Sequence, residues 1–162
     1  MTNLLALDQS TRTTGYAIFQ NNKLIKVDKF TLIDPLIEVR LNQFRNKIKN
    51  VIKEYDITEI VLEEIQLQDN VTTFKKLAMV YGVLLELIVE MNIPYEIISS
   101  NTWKSRCGIR KTRRAEEKKA AQRFVKDNYN LSVTEDESDA ICIGYTYLKD
   151  IDNYTDDLIW SF

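Results

Sequence analysis

Four acids in this chain stand where an acid needs a reason. Asp8 closes the apolar run "LLALD" at residues 4–8, and Glu63 stands among Ile60, Val61, Leu62 and Ile65. Asp136 and Asp139 are three residues apart, a spacing that puts both on one face of a helix. Each has an ordinary explanation by itself. Asp8 fits an Asx turn. Asp136 and Asp139 fit first-turn acids that complement a helix dipole. Glu63 and Glu64 fit a charge pair on an edge strand. Together they are less ordinary, because an acid inside an apolar strand is costly unless something compensates it. A divalent cation compensates best. The chain has no histidine, and Cys107 and Cys142 form no CxxC pair, so an all-oxygen site favours Mg²⁺ or Mn²⁺ over zinc. The lack of histidine also excludes Ser-His-Asp and Cys-His catalysis. Neighbouring strand residues face opposite ways, so only one of Glu63 and Glu64 can aim at a shared site. Glu63 is the expected one and Glu64 is secondary.

The elements that must position these acids read clearly. Residues 3–8 are a buried strand. Residues 15–20 and 23–30 form a hairpin around Asn21-Asn22. Asp34 as N-cap and Pro35 at the first helical position open an amphipathic helix running to Asp56. Residues 59–65 are a β-branched strand. Residues 70–91 are a long helix with Phe74, Leu77, Tyr81, Leu84 and Ile88 on one face. Met79, Val80, Val83 and Leu87 widen that face enough to offer part of it to a partner chain. Residues 94–98 are a strand, and 115–128 and 135–149 are helices. The acidic tail with its apolar tip receives no assignment. Three strands able to pair antiparallel, then strands alternating with helices, imply an α/β fold with a mixed sheet and helices on its faces.

The 162 residues suffice for one domain spanning 1–162. An apolar content of 44% with 28% charge describes an ordinary soluble globule. No stretch reads as a signal peptide or membrane span, and the two cysteines read as free thiols of a reducing cytosol. Net charge is −2, but residues 104–123 carry nine Lys/Arg against two acids. That asymmetry points to a polyanionic partner. A solvated helix face is the plainer reading of any charge run. The size of this excess favours phosphate binding.

The first motif, "LALDQSTRTTGYAIF", resembles that of the RuvC Holliday-junction resolvase family, within the RNase H-like integrase superfamily. The family pattern there is roughly DPGSxxTG after an apolar strand. "IVLEE" at 60–64 is similar to its second motif, and Gly82 stands where the family's helix places a glycine. "DESDAICIGYTYL" from Asp136 resembles its last motif, DxxDA followed by an apolar helix. The resemblance covers nearly the whole chain with the motifs in order. It implies an RNase H-like five-stranded mixed sheet flanked by helices, in a bacterial or phage protein acting in the cytoplasm. It implies Asp8, Glu63, Asp136 and Asp139 as ligands of catalytic Mg²⁺ or Mn²⁺, two ions per site. It implies a homodimer that nicks a four-way DNA junction in pairs and leaves 5′ phosphates. Lys104 and Lys118 resemble two basic residues near the family's active site, and Lys118 is expected to steady charge on the reacting phosphate. Arg110, Lys111, Arg113 and Arg114 are candidates for the DNA backbone. Trp103 fits core packing better than base stacking.

Two departures from the pattern matter. Gln9-Ser10 replaces the family's Pro-Gly after the first aspartate. Gln66 stands where well-known bacterial members carry an aromatic that stacks on a junction base. The expectation is a structure-selective nuclease with relaxed sequence choice. Three alternatives stay open: a related nuclease acting on RNA–DNA hybrids, forks or flaps; an actin-like ATPase or sugar kinase; and a DNA-binding module without catalysis. The kinase reading conflicts with a glycine count of four, none adjacent. The binding module has no use for buried acids facing phosphates.

Overall fold

The computed structural model describes residues 1–67 and 70–159, with the side chains of the last helix described as far as Asp152. β1 (Asn3–Asp8), β2 (Thr13–Gln20) and β3 (Lys23–Thr31) form an antiparallel meander. Asn21 and Asn22 both take left-handed backbone angles, φ 48° and 65°, as a two-residue hairpin turn requires. α1 (Ile37–Glu54) crosses to β4 (Glu59–Glu63), which pairs parallel with β1. α2 (Val71–Glu90) leads to β5 (Tyr95–Ile98), parallel to β4. α3 (Ser100–Arg106), α4 (Arg114–Tyr129) and α5 (Glu135–Ile159) follow. The strand order is β3-β2-β1-β4-β5, the mixed five-stranded sheet expected.

The period of two along each strand divides the core in two. Leu4, Ala6, Ala17, Phe19 and Val61 face α3, α4 and α5. Leu5, Leu7, Tyr16, Ile18, Ile60 and Leu62 face α1 and α2. Asp8 continues the Leu4–Ala6 side and Glu63 continues the Val61 side, so both acids emerge toward α5. Glu64 lies one residue past the end of β4, and its charge acts on Tyr81 of α2.

Several boundaries differ from the sequence expectation, each for a visible reason. Asp34 does not cap α1. Its Oδ1 accepts from the Leu36 amide at 2.9 Å, an Asx turn. The buried Arg40 guanidinium donates to the Asp34 and Pro35 carbonyls at 2.6 and 3.1 Å, which opens that turn and starts the helix at Ile37. α3 has no counterpart in the sequence expectation. Ser99 starts it by accepting from the Thr102 amide. α5 runs on to Ile159 through the stretch left unassigned, while Trp160–Phe162 lie outside the described residues. On α2 the buried residues are Val80, Leu84, Leu87 and Ile88. Phe74 and Leu77, read on the same face as Leu84 and Ile88, line a cleft instead, because α2 joins the core only from Val80 onward.

Candidate active site

A cleft of about 760 Å³ opens where β1 and β4 end. Asp8, Glu63, Asp136 and Asp139 all line it, and so does Glu64, against the expectation that only one of the two glutamates would, because β4 has ended before it. Sequence positions 8, 63 and 136–139 are thus brought to one place by three elements. β1 and β4 are neighbours in the sheet, so their terminal acids are side by side. α5 reaches the cleft because its start is well defined. Glu137 Oε2 accepts from both the amide and the hydroxyl of Thr134 at 2.7 Å, a capping arrangement that begins the helix just before Asp136. Gly15, paired with Asp8 across the β1–β2 ladder, lets that helix start approach. A Cβ on Gly15 would lie 2.1 Å from the Asp136 carbonyl oxygen.

The electrostatics follow from crowding acids in a poorly solvated place. Burial, and then the charges of Glu63, Asp139 and Asp136, push Asp8 well above the usual carboxylate range, against the pull of Lys118. Burial and the Asp139 charge raise Glu63 to about 7, with Lys104, Trp103 and Lys118 opposing. Burial raises Asp139 to about 6, with Lys118 and Lys104 pulling it down. The protein's own cations therefore leave the acids short of positive charge. A hard divalent ion fits this donor set, which offers only carboxylate oxygens around the missing charge. Among the described residues no three acids close into a ready-made cage, so the four form the walls of an open cleft.

The basic residues divide into two groups. Lys104, Arg114 and Lys118 line the cleft, whereas Arg110, Lys111 and Arg113 are exposed outside its lining. Lys104 Nζ pairs with Glu117 at 2.8 Å and Lys118 Nζ with Glu135 at 2.9 Å. Burial pulls the Lys118 pKa down, but Glu135 and Asp139 outweigh it, so Lys118 is held as a cation. Gln66 lies on the cleft lining.

Sequence reasoning missed three contributors. Trp103 is buried as expected, but its indole N–H is close enough to Glu63 to lower that acid's pKa without a full hydrogen bond. Gln9 stands out in the sequence only as a departure from a motif, yet its Nε2 donates to the Glu63 carbonyl at 2.6 Å. Glu137 caps α5, a role that "TEDE" at 134–137 signals by its spacing.

A five-stranded mixed sheet with an acidic cleft at the ends of β1 and β4 defines an α/β protein of the RNase H-like fold. The family model described as crossover junction endodeoxyribonuclease RuvC matches residues 4–147, and the chain belongs to that family. The crossover junction endodeoxyribonuclease RuvC of Citrifermentans bemidjiense is 29% identical over 148 residues, covering 87% of this chain and 88% of that protein. RuvC of T. thermophilus, solved in complex with a Holliday junction substrate, superposes with a TM-score of 0.75 at 14% identity, over 90% of this chain and 92% of that one. The Fowlpox virus resolvase, in complex with Holliday junction DNA, gives 0.62 at 12% identity, over 93% and 99% of the two chains.

Proposed function

We propose that this chain resolves four-way DNA junctions by metal-dependent nicking of the phosphodiester backbone. The observation that carries the reading is the convergence of four acids from three elements into one cleft, in a chain of this family. Asp8, Glu63, Asp136 and Asp139 would hold two divalent cations, Mg²⁺ or Mn²⁺. Such ions, when bound, activate a water and stabilise the leaving 3′ oxygen, which leaves a 5′ phosphate. The protein's residues do the rest. The acids hold their positions because sheet and helix are pinned to each other at Gly15 and Asp136. Lys118, cationic and beside Asp139, neutralises charge that builds on the phosphate. Lys104 and Arg114 guide the backbone into the cleft, and Arg110, Lys111 and Arg113 hold the arms outside it.

A junction needs two nicks, and a homodimer supplies two clefts. Met79 and Val89 on α2 remain exposed, at 48% and 74%, and Gly82 has open space before it. These features support an α2-centred contact between two copies. No helix among the described residues is long and apolar enough to cross a membrane. The cytoplasm, as the compartment of recombining DNA, is part of the proposal.

Cleavage of labelled four-way junctions of several sequences tests the reading, beside linear duplex, a fork and an RNA–DNA hybrid. Wild type with Mg²⁺ is expected to nick junctions symmetrically with little preference among sequences, because Gln66 offers no aromatic plane. Asp8→Asn is expected to lose on the order of 10³-fold in rate while still binding the junction. Cutting confined to the hybrid would replace the substrate while keeping the site.

A further inference from the structure

The parallel ladder between β1 and β4 stops one residue short of the acids. Its last paired residues are Leu7 and Leu62, so Asp8 and Glu63 project past it. The Gln9 side chain takes over where the ladder ends. Gln9 is only 7% exposed, and its Nε2 donates to the Glu63 carbonyl at 2.6 Å. That hydrogen bond also identifies the two ends of the carboxamide, since an oxygen would be repelled by a carbonyl at this distance. Oε1 is left buried with no hydrogen-bond partner among the described residues, on a side chain that lines the cleft. A buried amide oxygen without a partner is costly, and it persists where a ligand completes it. The Trp103 indole Nε1, near Glu63, is likewise buried without a full partner. Two side chains with an incomplete polar atom therefore adjoin the same residue.

We propose that Gln9 is a positioning residue for the cation site. Its amide nitrogen locks the Glu63 main chain beside Asp8 across the open end of the two strands. Its free Oε1 accepts a hydrogen bond from water in the hydration shell of the bound ion. Hard divalent ions keep part of that shell, and oxygens behind the direct ligands orient it. The proposal rests on reading the four-acid cleft as a divalent-cation site.

The test is a titration of the full chain with Mn²⁺, followed by the electron paramagnetic resonance signal of the free ion, on wild type, Asp8→Asn and Gln9→Met. Methionine keeps the length and removes both polar atoms. Wild type is expected to bind saturably and Asp8→Asn to lose that binding. Gln9→Met is expected to bind about 10-fold more weakly. It should melt cooperatively, bind junction in EDTA like wild type, and show a lower kcat at unchanged KM. Equal Mn²⁺ affinity in Gln9→Met and wild type overturns the role of Gln9 and leaves the cation site standing. Absence of saturable binding in wild type overturns the cation site itself, and Gln9's role with it. Should Gln9→Met fail to fold, nuclear magnetic resonance of the wild-type side-chain amides decides. Gln9 amide protons protected from exchange and shifted by Mg²⁺ support the proposal. Protons that exchange freely and do not move with Mg²⁺ overturn it.

Discussion

Asp8, Glu63 and Asp139 make the folded protein sensitive to pH in a direction opposite to most carboxylates. Their pKa values are raised on folding, so the folded chain binds protons more tightly than the unfolded one. Their contribution to stability is fully present below the unfolded values and is lost as pH climbs through the folded ones. For Glu63 that window runs from 4.5 to about 7, and for Asp139 from 3.8 to about 6. Burial is the first cause in each case, and each of these two shifts corresponds to roughly 3 kcal/mol, not additive because the acids interact. Acids lowered by a charge partner, such as Glu117 beside Lys104, lose their contribution only as pH falls below their unfolded value of 4.5. The cation-free protein is expected to melt at least about 5 °C higher at pH 5 than at pH 7.5. Added Mg²⁺ should narrow that gap, since it satisfies the ionised acids. Thermal melts in EDTA and in Mg²⁺ at both pH values check this. A higher melting temperature at pH 7.5 in EDTA would show that the acids are not crowded as described.

At the scale of elements, the placement of α5 on the sheet decides the site. Two glycines permit it. Gly15 clears the Asp136 backbone, and a Cβ on Gly144 would lie 2.3 Å from the ring of Phe19, itself 1% exposed. Neither neighbour can swing aside, because one is backbone and the other is packed core. Gly15→Ala is therefore expected to push the first turn of α5 off β2. The expected result is a loss of about 2–4 kcal/mol in stability, with Mn²⁺ binding weakened at temperatures where the variant is still folded. Denaturant unfolding with metal titration measures both. Binding at wild-type strength in folded Gly15→Ala would mean that α5 does not depend on that approach. Element boundaries are legible in the sequence where a local rule governs them: the Asn21-Asn22 turn, the Asn70 cap of α2, and the alternating strands. They are not legible where a distant side chain intervenes. Arg40 lies one turn inside α1, and its hold on the Asp34 and Pro35 carbonyls depends on its being buried against the β1–β2 turn at Thr11.

For the whole molecule, charge asymmetry governs the approach to DNA. The net charge of −2 conceals a basic segment that delivers Lys104, Arg114 and Lys118 to an acidic cleft. Two of these residues, Lys104 and Lys118, are already paired with Glu117 and Glu135, so junction phosphates must compete for them. The exposed Arg110, Lys111 and Arg113 carry no such partner among the described ion pairs, and they should contribute most to salt-dependent binding. Replacing Arg110 and Lys111 with alanine is expected to lower the slope of log affinity against log salt by about 1 for each phosphate interaction removed, with little change in kcat. Binding isotherms at several salt concentrations measure that slope. An unchanged slope would move the DNA path away from this segment.

Residue types and their order are enough to specify the acids, the order of the strands along the chain and the segregation of positive charge. These depend on composition and on periods of two or three to four, which a chain carries without reference to its fold. The same periods favour Glu63 over Glu64 within a strand, yet Glu64, past the end of β4, also lines the cleft. How the acids meet, and what steadies them, is settled by folding. Gln9 reaches Glu63 across 54 positions in sequence, and Gly15 matters only because Asp136 rests against it. Such roles arise from contact between segments that share no local pattern. The raised pKa values, the burial and the unpartnered oxygen of Gln9 exist only once β1, β4 and α5 enclose the same cleft.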